Sequence, residues 1–329
     1  MKGRRSLLLA FGMAAIAVLA PAGVAQVTAP LMPSDSSGKA PKRLAKGIHV
    51  DVEMVLVNVT VTDSDDRLAM GLQKENFQLF EDNVAQEIAS FSHEDAPVSI
   101  GLIFDTSGSM ADKVDKARLA ALQILKTANP QDEFFLVSFG SDARLRTGFT
   151  SGIEELQNRM TSIKPRGDTA LLDAIHLGMK QMKNARYRRR ALVVISDGGD
   201  NHSWHSESRI RKDLKEADCQ LYAMGIFDEH DMELTFEEHN GPALLSKLAE
   251  ITGGRAFVVS NLDELPGIAA KISMELRDQY VLGYKPGGAR HDRTWRSIKV
   301  KIAPSAGLPS LHVYARTGYY EASEQMAQF

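Results

Sequence analysis

Between residues 99 and 259 five short apolar runs alternate with stretches whose apolar residues recur every three or four positions. The runs are Ser99–Phe104, Phe134–Phe139, Ala191–Ser196, Leu221–Ile226 and Ala256–Val259. An uninterrupted apolar run bounded by turn residues reads as a strand buried on both faces, which requires helices above and below it. The intervening periodicity predicts helices around 113–128, 153–162, 170–184, 206–218 and 243–251, with Asp112 as a cap for the first. Strands and helices in this alternation demand a doubly wound, mostly parallel α/β sheet. A short strand at Ala143–Thr147 is expected to pair antiparallel at one edge. A last helix starts at Asn261, capped in the Asn261…Glu264 manner, and repeats Leu262, Leu265, Ile268, Ile272 and Leu276.

On either side of this block the period changes to two. Val55, Val57, Val59 and Val61 alternate with Leu56, Asn58, Thr60 and Thr62, a strand with one buried face. Phe77–Phe80 and Val84–Phe91 form an expected hairpin about Asp82-Asn83. After residue 277, Tyr280–Tyr284, then Ile298, Val300 and Ile302, then Leu311, Val313 and Ala315 supply further strands. Neither β segment has enough strands to hide its own apolar face. The expected organisation is therefore a second, β-sandwich-like domain built from 48–95 and 278–321, interrupted by an α/β domain at 96–277 and followed by a tail at 322–329.

The chemistry concentrates at the carboxyl end of the first buried strand, where Asp105-Thr106-Ser107-Gly108-Ser109 precedes a helix. Open α/β sheets place ligands at such strand ends. The carboxylate of Asp105 and the hydroxyls of Ser107 and Ser109 on one tight loop are hard oxygen donors, suited to Mg²⁺ or a similar cation. Gly167-Asp168-Thr169-Ala170-Leu171 opens another helix, and Asp197-Gly198-Gly199-Asp200 follows the strand Ala191–Ser196.

D-x-S-x-S, then G-D-T-A-L, then V-V-I-S-D-G in this order resembles the metal-ion-dependent adhesion site of von Willebrand factor A domains. The resemblance implies that Asp105, Ser107, Ser109, Thr169 and Asp197 form a metal shell for Mg²⁺, with Mn²⁺ or Ca²⁺ as alternatives. It also implies that an Asp or Glu of a protein partner completes the coordination. Asp197 would act through a water; Asp200 would tune the potential or serve the turn. The flanks resemble the VWFA-related proteins of acidobacteria. The V-x-V-x-V-T-V-x-D element is Val55–Asp63, and the G-L…D-F…E-D-G element is Gly71–Asn83, with Asn76 and Asn83 in place of Asp and Gly. The terminal pattern lies at Tyr280–Tyr284, Trp295–Val300 and Ala315–Tyr320.

Residues 1–25 read as an export signal: Lys2, Arg4 and Arg5 precede the apolar run Leu7–Leu19, and Gly23-Val24-Ala25 offers a cleavage site before Gln26. The run is short for a membrane span, so none is expected after cleavage. Pro30, Pro33 and Pro41 among small polar residues make 26–47 a disordered linker. Cys219 is the single cysteine and excludes an internal disulfide; beside a strand it reads as an inert, half-buried thiol. A periplasmic, envelope-associated or secreted protein is expected. The formal net charge of -3, with signs interspersed, argues against a nucleic-acid surface. The basic run Arg186-Tyr187-Arg188-Arg189-Arg190 enters a strand at the end opposite the metal and reads as a solvated strand entrance in preference to a phosphate patch.

No G-x-x-x-x-G-K-[ST], G-x-G-x-x-G, G-x-S-x-G or H-E-x-x-H motif occurs. Ser107 stands where a hydrolase of this geometry would need a second acid. His202 and His205 leave open a second metal or a histidine base, against plain solvated polar structure. The expectation is thus a metal-dependent protein-binding module that is not an enzyme; a metal-dependent hydrolase and a scaffold with a purely structural ion are the alternatives.

Overall fold

The computed structural model describes residues 54–93, 95–197, 199–227, 236–287, 294–303 and 310–320, without the side chains of 236–239. The expected export signal, linker and tail, Gly198, and the acidic stretch Asp228-Glu229-His230-Asp231 lie outside the described residues.

Among the described residues, four strands precede the α/β block: β1 (Val55–Thr62), β2 (Phe77–Glu81), β3 (Val84–Gln86) and β4 (Ile88–Ser92). The turn between β2 and β3 puts Asp82 and Asn83 at positive φ, 47° and 65°, as a two-residue hairpin whose twist matches its strands requires. The expected second hairpin strand, Val84–Phe91, is divided at Glu87. β3 stays with β2, whereas β4 crosses to another sheet and pairs with a C-terminal strand. Such sheet-switching lets one chain segment supply both layers of a sandwich.

The block itself runs β5 (Val98–Asp105), α1 (Val114–Lys126), β6 (Glu133–Phe139), β7 (Ala143–Thr150), α2 (Ile153–Ser162), α3 (Leu171–Met182), β8 (Arg189–Ser196), α4 (Glu207–Glu216), β9 (Gln220–Ile226), α5 (Phe236–Thr252), β10 (Ala256–Val259) and α6 (Leu265–Arg277). Its sheet has the order β10-β9-β8-β5-β6-β7, parallel except for β7 at the edge. Every residue of β5 is buried, because β5 lies in the middle of the sheet with helices on both faces. Apolar side chains of α1, α2 and α6 cover one face, and those of α3, α4 and α5 cover the other.

Three local expectations differ from the structure. Asp112 does not cap α1. A 3₁₀ turn at Gly108–Met110 runs into the helix, and its N–H groups bond to the carbonyls of Ser107, Gly108 and Met110 instead. Helix α5 begins at Phe236, before Pro242 rather than after it; one missing backbone donor does not outweigh a helix packed on the sheet. Asn261 caps only the short turn Leu262–Glu264, from which α6 follows with a proline in its first turn.

The remaining strands are β11 (Tyr280–Tyr284), β12 (Trp295–Ile302), β13 (His312–Ala315) and β14 (Gly318–Tyr320). They interleave with the first four in two antiparallel sheets, β13-β1-β11-β4 and β14-β12-β2-β3. Val57, Val59, Leu79, Leu282, Tyr284 and Ile298 share one core between these sheets. Within that core the Tyr284 hydroxyl donates to Glu81 Oε2 at 2.5 Å, a bond from one sheet to the other.

Thr60 and Thr62 were expected on a solvated face of β1 but are fully buried. The outer side of β1 lies against the α/β sheet, where Gln279 Nε2 donates to Thr60 Oγ1 at 3.3 Å and to Gln220 Oε1 at 2.8 Å. Nearby, Arg255 pairs with the buried Glu275 and with Asp66 at 2.6 Å, and its guanidinium lies 4.3 Å from the ring centre of Tyr314. Gly253 has φ +76° and packs so tightly under the strand above that a Cβ would stand 2.3 Å from the backbone nitrogen of Arg316. No helix among the described residues is long and apolar enough to cross a membrane.

Because β11 takes β1 and β4 as its neighbours and β12 takes β2, a fragment 96–321 would expose the edges and apolar faces of its own terminal strands. The fragment is expected to aggregate. A monodisperse fragment in gel filtration, with dispersed amide signals from 280–284 and 295–302, would show instead that the C-terminal strands need no partner.

Candidate functional site

Asp105 is the last residue of the central strand and is fully buried. One carboxylate oxygen, Oδ1, accepts the Ser107 N–H at 2.8 Å, which turns the chain sharply at the strand end. The other, Oδ2, accepts the Ser196 hydroxyl at 2.5 Å from the end of the neighbouring strand β8. Asp197 follows Ser196 and is 4% exposed, so two carboxylates stand at adjacent strand ends inside the protein. The Ser107 and Ser109 hydroxyls lie 3.0 Å apart on the loop between β5 and α1.

Thr169, also buried, reaches this face from the loop before α3. That loop is held from both sides. The Gly108 N–H donates to the Gly167 carbonyl at 2.8 Å, and the Arg166 N–H donates to the Thr106 carbonyl at 2.8 Å. On the far side, Asn201 Oδ1 accepts the Thr169 N–H at 2.9 Å, while the Asn201 N–H donates back to the Thr169 carbonyl at 3.1 Å. Gly167 has φ +79°, and a Cβ there would stand 2.4 Å from Ser141 Oγ. Only glycine meets both conditions without strain.

The first turn of α3 leaves backbone N–H groups that its own Ala170 cannot cap. The neighbouring loop supplies the acceptors: Asp200 Oδ1 takes the Leu172 N–H at 3.1 Å and Ser203 Oγ takes the Asp173 N–H at 3.1 Å. Asp173 answers by accepting the N–H groups of Trp204 and His205, both at 3.0 Å. Asp200 thus serves the turn. His205 is bound to Asp173 through Nδ1 at 2.6 Å and stacks on His176, whereas His202 turns toward Asp168 at 3.5 Å, so the two histidines do not face a common point. Asn201 and Asp173 carry no signature in the sequence, because each acts on a partner in another loop; Ser196 stands inside V-V-I-S-D-G, but its bond to Asp105 is not readable there.

Electrostatics sets the character of the site. Burial, and then the charge of Asp197 beside it, push the Asp105 carboxyl up to about 7 against the opposing pull of the Ser196 hydroxyl and the Ser107 N–H. Lys113, whose side chain is 17% exposed, lays its ammonium 3.5 Å from Asp197 Oδ2. Among the described residues no group of three or more His, Cys, Asp or Glu side chains is placed to hold a metal. Any ion here therefore depends on the hydroxyls of Ser107, Ser109 and Thr169 as well as on the two carboxylates. That donor set fits a hard, oxygen-seeking divalent cation, whose charge would offset the two carboxylates.

A family model for the von Willebrand factor type A domain matches residues 100–199, a span that contains all five candidate donors. Among curated proteins, the chain is 26% identical over 132 residues to inter-alpha-trypsin inhibitor heavy chain H4 of Sus scrofa, covering 37% of this chain and 14% of that protein. It is 26% identical over 177 residues to the Bos taurus counterpart, covering 49% and 18%. The chain thus spans less than a fifth of the length of either relative. Among solved structures, a von Willebrand factor type A protein from Catenulispora acidiphila is similar with a TM-score of 0.49 at 12% identity, over 82% of this chain and 75% of that one. The von Willebrand factor domain of the type V pilus tip protein Mfa5 from Porphyromonas gingivalis gives a TM-score of 0.46 at 13% identity, over 55% and 95%.

Replacing the Lys113 ammonium removes a cation from beside two buried carboxylates. Lys113→Met is expected to lower stability in chelator by about 1–3 kcal/mol, read as a shifted urea midpoint at unchanged slope. An unchanged midpoint would show that the ammonium contributes nothing at Asp197.

Proposed function

Since the chain carries a von Willebrand factor type A domain, we propose that it is an exported, metal-dependent protein-binding module whose site takes an acidic side chain of its partner. The observation that carries this reading is the pair of buried carboxylates, Asp105 and Asp197, standing beside the Ser107–Ser109 hydroxyl pair at the carboxyl end of the sheet.

In this reading Asp105, Ser107, Ser109, Thr169 and Asp197 hold Mg²⁺, or Mn²⁺ or Ca²⁺ in its place. The bound ion would supply a Lewis-acidic position that an incoming carboxylate can occupy. The chain's own residues prepare that position. The Ser107 N–H and the Ser196 hydroxyl fix both oxygens of Asp105, so the carboxylate is oriented before any ion arrives. Three of the five donors are neutral and the two carboxylates only balance a divalent charge, so an ion held by them would keep the Lewis acidity to take an external Asp or Glu in place of a water. Thr169 belongs to a different loop from the serines and is steadied by Asn201, which suits it to sense the partner's approach. The domain type supports an interaction role over catalysis, and Ser107 cannot replace the second acid that hydrolysis would need.

Calorimetry with Mg²⁺ and Mn²⁺ tests the reading first. One site is expected in the wild type and none in Asp105→Ala, whose fold should persist because apolar burial supplies most of the stability. A glutamate-containing peptide should bind only with metal present, and Thr169→Ala should weaken the peptide more than the metal. Unchanged metal binding in Asp105→Ala would remove the metal site. Metal-dependent hydrolysis of phosphate or ester substrates that disappears in that variant would make the protein an enzyme.

A further inference from the structure

At the other end of β8 from Asp197, a cleft of about 430 Å³, including its open mouth, lies where β1 and the β13–β14 connection meet the α/β sheet. Three arginines line it. Arg188 and Arg190 come from the basic run that enters β8, and Arg316 comes from the connection above. Among the described residues that line the cleft there is one carboxylate, Asp218, and it is 72% exposed. Arg316 reaches Asp218 at 3.3 Å and otherwise donates Nε to the Gly318 carbonyl, while Arg190 Nε donates to the Tyr187 carbonyl. Carbonyl partners orient a guanidinium without neutralising it, so the cleft keeps an excess of positive charge.

At the wall of the cleft the Cys219 thiol is buried and pushed up to about 12, first by burial and then by Asp218, with Arg190 and Arg316 both pulling the other way. Arg190 and Arg316, from separate parts of the chain, thus line the same cleft as Cys219. Planar guanidinium groups match tetrahedral oxyanions through paired N–H donors, and crowded like charges are relieved by a shared counter-ion.

We propose that this cleft binds a phosphate group, either as the free ion or as the end of a small phosphomonoester. The bound anion would bridge Arg188 and Arg190 of the α/β sheet to Arg316 of the β layers. It would stabilise the folded chain in proportion to its occupancy. The site is independent of the metal face and does not rest on the function proposed above.

The experiment is calorimetry and thermal melting of the full chain at low ionic strength in chelator, with inorganic phosphate in one arm and glycerol phosphate in the other. Saturable binding with a concentration-dependent rise in Tm is expected in the inorganic arm. Equal binding of glycerol phosphate would assign the monoester, and its failure would assign the free ion. The pair Arg188→Gln and Arg190→Gln should lose at least about tenfold in affinity, and the corresponding lysine pair should fall between it and the wild type. Asp218→Asn, at an exposed position that leaves the fold alone, should bind severalfold more tightly, because it removes the competing carboxylate. Asp105→Ala should bind as the wild type does. Absence of saturable binding in both arms, indifference to all the arginine and Asp218 changes, or loss of binding in Asp105→Ala would each overturn the proposal.

Discussion

The arrangement depends on one electrostatic constraint: two carboxylates, Asp105 and Asp197, are buried at the ends of adjacent parallel strands. Parallel pairing makes this unavoidable. β5 and β8 run in the same direction and end side by side, so the residues that follow their last apolar positions emerge on the same side of the sheet. A carboxylate in that position loses hydration, and a second one nearby makes the loss worse. The protein offsets this with oriented donors, the Ser107 N–H and the Ser196 hydroxyl on Asp105, and with the ammonium of Lys113 beside Asp197. Each offset is partial, because hydrogen bonds and a 3.5 Å ammonium do not equal a divalent charge at the centre of the set.

The loops around the pair are rigid for a related reason. A buried charge is tolerable only if its donors stay in place, and those donors lie on loops, the parts of a fold that move most readily. Here the loops cap one another. Asp200 and Ser203 satisfy the first turn of α3, Asp173 returns two bonds to the chain at Trp204 and His205, and Asn201 clamps Thr169. Gly167 allows the closest approach, since a side chain there would meet Ser141. The consequence is that the loops carrying Ser107, Ser109 and Thr169 are tied to one another and to their neighbours.

Legibility in the sequence followed the range of the interactions. The central strands β5 and β8 were readable because burial on both faces removes polar residues from the run, and most helix spans followed from periodicity. The place of the D-x-S-x-S loop at the end of β5 was readable because it directly follows that apolar run. What could not be read was nonlocal. The division of the second hairpin strand at Glu87 depends on β11, almost two hundred residues later. Thr60 and Thr62 look like surface residues of an alternating strand until the α/β sheet covers them. Asp112 looks like a cap only if the helix starts freely, whereas a 3₁₀ turn, bonded through the N–H groups of Met110, Ala111 and Lys113, leads into α1. Lys113 is one lysine among many until the fold turns it toward Asp197.

The two ends of β8 are electrostatic opposites, and the strand's own composition explains why. Its entrance carries Arg189 and Arg190, its middle is apolar, and its exit is Ser196 followed by Asp197. Buried apolar residues between them separate the charges by the length of the strand, too far for direct neutralisation across a screened surface. Each end must therefore find its own counter-charge. At the exit, hydroxyls and a lysine surround the carboxylates; at the entrance, backbone carbonyls accept from Arg190 and Arg316, and the exposed Asp218 pairs with Arg316. The β layers contribute at the entrance through Arg316, adding positive charge where positive charge is already present. They pack there through Gly253 and the Gln279–Thr60 hydrogen bond, contacts that fix position without supplying any negative charge. The junction is thus mechanically secure, and the lining of its cleft carries three guanidiniums to one carboxylate.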